Sequence, residues 1–80
     1  MKLSIYSLKK ILFQGDIKLL NCKTAVGEIT VLEHHSPLLG IIKQGVMKIV
    51  DLAGQEKFFP VKSGIIEVRS NNETRCLVEE

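Results

Sequence analysis

The stretch "GEITVLEHHSPLLGIIKQGVMKI", residues 27 to 49, contains two runs whose side chains alternate. After Gly27, Ile29 and Val31 fall on one face and Leu32 on the other; after Gly45, Met47 and Ile49 oppose Lys48. Alternation of this kind is the signature of a half-buried β-strand. Between the runs a carboxylate, Glu33, stands beside His34 and His35, and Pro37 biases Ser36 away from helical angles. The stretch therefore predicts a strand, a polar turn and further strand.

The same periodicity extends in both directions. Leu3 and Ile5 alternate with Lys2 and Ser4 in "KLSIYS", and Ile11 and Phe13 share a face in "ILFQG". In "DIKLLNC" the apolar series runs from Ile17 to Leu20 and Cys22 with a slip of one residue, the sequence trace of a β-bulge. "EKFFPV", "IIEVR" and "TRCLVE" complete the set. Turn signals stand at Gly15-Asp16, Val26-Gly27, Gln44-Gly45, Ala53-Gly54, Ser63-Gly64 and Ser70-Asn71-Asn72. Turns at roughly ten-residue spacing, without a helical period anywhere, predict an all-β sandwich or barrel. Pro60 cannot donate to a ladder, so its strand is expected at an edge or at a bulge.

At 80 residues the chain is expected to form a single domain spanning residues 1–80. An apolar content of 45% argues against disorder. The net charge is +2, and its eleven basic residues are scattered, with only Lys9 and Lys10 adjacent. Tyr6, Phe13, Phe58 and Phe59 form no pattern of the kind that stacks on bases, so no nucleic-acid partner is expected. A small β-barrel binding nucleic acid or a ligand remains the alternative. The longest charge-free stretch, His34 to Ile42, is far short of the roughly 20 residues of a spanning helix. Lys9 and Lys10 also interrupt what would be the apolar part of a secretory leader. A reducing compartment follows, with Cys22 and Cys76 as buried thiols.

No catalytic constellation emerges. Ser36 and His35 are neighbours and point to opposite sides of an extended chain, so they cannot pair as nucleophile and base. Phosphate-cradling glycine loops are absent. Glu33 and His35 could supply two metal ligands at most, where catalytic zinc takes about three. Catalytic residues, metal and cofactor are all expected to be none, which leaves binding as the function. Loops held on a rigid β scaffold are where partners engage.

The stretch resembles the signature of the F-type ATP synthase epsilon subunit (delta in mitochondria), whose amino-terminal domain reads approximately G-E-x-G-x-L-P-G-H-x-P-L-L, followed by K-x-G-V. Gly27, Glu28, Ile29, Val31, Leu32, His35, Ser36, Pro37, Leu38, Leu39, Lys43, Gly45, Val46, Lys48 and Ile49 match in register. "LSIYSLKKILFQGDI" and "FFPVKSGIIEV" are similar to the family's flanking segments, so the resemblance runs from about Leu3 to Val78. Glu33 and His34 replace the Pro and Gly of L-P-G-H, Thr30 replaces the second Gly of G-E-x-G, and Lys62-Ser63-Gly64 stands for S-G-G. Asn71-Asn72 carries an extra residue before the last strand.

The resemblance implies a flattened antiparallel β-sandwich of about ten short strands. It implies a non-catalytic rotor subunit of the central stalk, which binds the gamma subunit and the polar loops of the c-ring and couples rotation to ATP synthesis and proton transport. Glu28, Glu33, His34 and His35 would face the c-ring, and Pro37, Leu38 and Leu39 the gamma subunit. Association with the membrane would be peripheral and through the complex only, on the cytoplasmic face of a bacterial inner membrane or the equivalent organelle side. The family's carboxy-terminal helical hairpin, which in some members binds ATP, would begin where this sequence stops, so no ATP binding is expected of these residues.

Overall fold

Strand β2 (Ile11–Thr24) organises the architecture. In the computed structural model, which describes residues 1–80, it is flanked by β1 (Lys2–Tyr6) and followed by β3 (Gly27–Leu32), β4 (Leu38–Ile42), β5 (Gly45–Asp51), β6 (Glu56–Val61), β7 (Ser63–Arg69) and β8 (Glu73–Glu79). The first half of β2 pairs with β1, from Ile11 opposite Tyr6 to Asp16 opposite Lys2. Its second half lies between β3 and β5, where Leu20 faces Val31 on one side and Ile49 on the other. The register of β2 against β5 shifts between Ile17 and Leu19, the bulge that the apolar slip predicted. A bulge bends and twists its strand, which lets β2 serve both layers of the sandwich.

The expected number of strands was about ten; eight are present. Gly15 and Asp16 are not a turn but lie inside β2, opposite Leu3 and Lys2. A strand that continues through a small residue is locally indistinguishable from two strands with a turn. β4 lies within the quoted stretch, and along it the exposed Leu39 and Ile41 alternate with half-buried Leu38 and Gly40 and buried Ile42. The sheet is also not wholly antiparallel, because β1 and β8 run parallel, Leu3 beside Thr74 and Ile5 beside Cys76. Pro60 lies on β6, which pairs with β5 alone and is an edge strand.

The core is made of rows that cross the strands. Val31, Leu20 and Ile49 form one, and Ile5, Cys76 and Ile66 another, all fully enclosed. Gly40 ends the second row, and a Cβ there would come within 3.4 Å of Ile66. Cys22 and Cys76 are free, buried thiols, as expected. Thr74 is the most buried polar side chain, and its hydroxyl donates to the Met1 sulfur at 3.4 Å.

Candidate functional site: the two ends of a strand and an apolar face

Glu28 stands at the tip of the β2–β3 hairpin, directly opposite Lys23. The loop of Ala25 and Val26 is closed by Thr24, whose buried hydroxyl donates to the carbonyl of Gly27 at 2.7 Å and accepts from the amide of Val26 at 3.3 Å. Gly27 has φ +120°, which an L-residue rarely adopts. These constraints fix where Glu28 projects, and its carboxylate forms no ion pair within the chain. Beside it Val26 is almost wholly exposed.

Glu33, His34 and His35 occupy the other end of the same strand. At about 3.3 Å per residue they lie roughly 16 Å from Glu28, so the structure does not bring the four together. The turn is closed by the amide of His35, which donates to the carbonyl of Leu32 at 3.1 Å. His34 sits at φ +62°, and its amide donates to Oδ1 of Asn72 at 2.9 Å. Nδ2 of Asn72 donates in turn to Oε1 of Glu33 at 3.3 Å, and the Met1 α-ammonium lies 3.5 Å from the same oxygen. The hydrogen bond from Asn72 holds the Glu33 carboxyl below its usual range, helped by the α-ammonium and by His34. His35 Nδ1 is 2.6 Å from the carbonyl of Ser36; a carbonyl only accepts, so this nitrogen carries the proton. No group of three or more His, Cys, Asp or Glu side chains is placed to share a metal ion.

Pro37 and Leu39 are exposed, while Leu38 packs partly against the core. Leu39 opens a larger surface that the alternation alone did not disclose. Ile41 of β4 lies opposite Ile65 of β7, which lies opposite Leu77 of β8, so an apolar row crosses three strands in register. With Leu39 these residues are between 45% and 76% exposed, too much for a core-facing row. Leu8, in the β1–β2 loop, borders a shallow depression floored by Gly64, Ile65 and Leu77. The signal in the sequence was the doublets "LL" at 38–39, "II" at 41–42 and "II" at 65–66, which place an apolar side chain on both faces of a strand.

Burial raises the Cys22 thiol to about 11 and the Cys76 thiol still further, so neither is a nucleophile at neutral pH. The surface thus carries a fixed carboxylate, a tied polar turn and an apolar sheet face on a small all-β domain.

The sequence profile of the ATP synthase delta/epsilon chain β-sandwich domain matches residues 1–80, and the chain belongs to that family. An ATP synthase epsilon chain of Clostridium perfringens is 32% identical over 76 residues, which are 95% of this chain and 57% of the relative. That of Alkalilimnicola ehrlichii is 34% identical over 70 residues, 88% of this chain and 50% of the relative. The chain therefore spans about half the length of the curated relatives it matches. The same fold occurs in the Euglena gracilis mitochondrial ATP synthase, in a structure of its OSCP, F1 and c-ring. There the TM-score is 0.92 at 16% identity, covering 98% of this chain and 49% of that one. It occurs also in the central stalk and c-ring structure of the Tetrahymena thermophila mitochondrial enzyme, with TM-score 0.85 at 15% identity, covering 100% and 63%.

Proposed function

We propose that these residues act as the β-sandwich of a non-catalytic rotor subunit in the central stalk of a proton-transporting F-type ATP synthase. The observation that carries this reading is the family match over all 80 residues. The work assigned is mechanical. Torque passes through a body that does not yield, and a domain whose backbone is tied into eight paired strands resists local opening.

Glu28 is the residue we assign to the c-ring. A carboxylate held at a hairpin tip and unpaired within its own chain is free to accept charge-assisted hydrogen bonds from a basic loop. Such a contact on a solvated rim is worth about 1 kcal/mol or less, so it sets register more than affinity. The gamma subunit would take the apolar face, from Pro37, Leu38 and Leu39 across Ile41 and Ile65 to Leu77. Apolar anchors near the centre of an interface supply most of its energy. Glu33, His34 and His35 adjoin Leu38 and Leu39 rather than Glu28, so we place them at the border of the gamma contact. Membrane association would come through the complex, peripherally, on the cytoplasmic or equivalent organelle side; no helix here is long and apolar enough to cross a bilayer.

Ile65→Asp tests the gamma assignment. Its side chain is half exposed, so the variant is expected to fold with near-normal stability and to lose co-purification with the gamma subunit. Retention of gamma by a folded variant would remove the apolar face from the interface.

A further inference from the structure

We propose that Asn72 is a positioning residue for the segment from Glu33 to Leu39, acting through its side-chain amide on the backbone of His34.

His34 lies in the left-handed region at φ +62°, where a residue with a Cβ is strained. Such a conformation persists only where its surroundings impose it. The Asn72 amide does so from both ends. Its oxygen accepts from the His34 amide at 2.9 Å and its nitrogen donates to the Glu33 carboxylate at 3.3 Å. Flipping the amide would set N–H against N–H and oxygen against carboxylate, so a single orientation satisfies both contacts.

Asn72 is itself anchored. Its carbonyl accepts from the amide of Lys2 at 3.2 Å, and its own φ is +61°, a region that Asn tolerates better than most residues. The β7–β8 turn, the start of β1 and the β3–β4 turn are thereby joined at one end of the sandwich. The chain leaving His34 then runs through Pro37 into Leu38 and Leu39.

A glycine at positive φ needs no support. A histidine does, and the Asn72 side chain supplies it from 38 residues away.

Amide exchange measured residue by residue by NMR on the 80-residue chain tests the clasp without any partner. Asn72→Gly keeps the freedom to adopt positive φ and removes only the side chain. The His34 amide is expected to exchange about tenfold faster or more, with Leu38 and Leu39 resonances displaced and Leu20 and Ile49 unchanged. Asn71→Gly, the control, leaves His34 protected. Adding His34→Gly to Asn72→Gly returns Leu38 and Leu39 to their original positions. An unchanged His34 exchange rate in Asn72→Gly overturns the proposal. Should that variant fail to fold, Asn72→Asp combined with Glu33→Gln keeps an acceptor for the His34 amide and a donor opposite it, and loss of His34 protection there overturns it equally.

The consequence for gamma binding rests on the reading above. Loosened His34 exchange accompanied by weaker gamma retention supports the positioning role; loosened exchange with gamma retention intact limits Asn72 to the fold and overturns that role. If Ile65→Asp also retains gamma, the failure lies in the gamma assignment and not in the clasp.

Discussion

A Cβ placed on Gly64 would lie 2.5 Å from the carbonyl oxygen of Leu77, closer than real Cβ atoms come to a neighbouring atom. Gly64 pairs with Val78 across the β7–β8 ladder and stands at the floor of the depression beside Leu8. The close approach of these strands sets Ile65 and Leu77 side by side on the outer face.

Gly64→Ala is therefore expected to destabilise the domain by about 2 kcal/mol or more, because the atom it meets belongs to the backbone and cannot rotate away. For a domain of this size that corresponds to a fall in Tm of roughly 8–16 °C. Urea titration and thermal melting measure it. A variant as stable as the parent would mean that β8 slides freely on β7.

Glu33 makes a prediction about acid. Its folded pKa lies below the ordinary value of 4.5, through Asn72 first, then the α-ammonium and His34. A lowered folded pKa contributes stability that is present above the unfolded value and is lost as the pH falls through the folded one. The loss should begin near pH 4.5 and be complete below the folded value. Glu33→Gln should flatten that limb of the stability curve while leaving the slope above pH 6 as it was. An identical acid limb in both proteins would dissociate Glu33 from the clasp.

The thiols offer a separate check on the core. With Cys22 raised to about 11 and Cys76 higher still, both should resist a disulfide reagent at pH 8 in the folded chain and react at once in denaturant. Rapid modification of the native protein would show that the enclosed rows open on the timescale of the reaction.

Much of the architecture was legible from alternation, because the faces of a strand are set by neighbours in sequence. Ile17 against Leu20 disclosed the bulge, Pro60 disclosed an edge, and the apolar setting of Cys22 and Cys76 disclosed their burial. The site was legible in part. Glu28 and the turn through His35 stood out as residues, but a linear string does not say that Asn72, 38 residues on, ties that turn.

The amino-acid sequence by itself determined that the chain forms strands, where they break, and which family it joins. Only the tertiary structure decided that β2 runs unbroken through Gly15, that β1 lies parallel to β8, that Ile41, Ile65 and Leu77 make a single row, and that Asn72 reaches His34. The physical reason is range. Side-chain alternation is a property of adjacent residues, whereas pairing and register are settled by the burial of distant segments against each other.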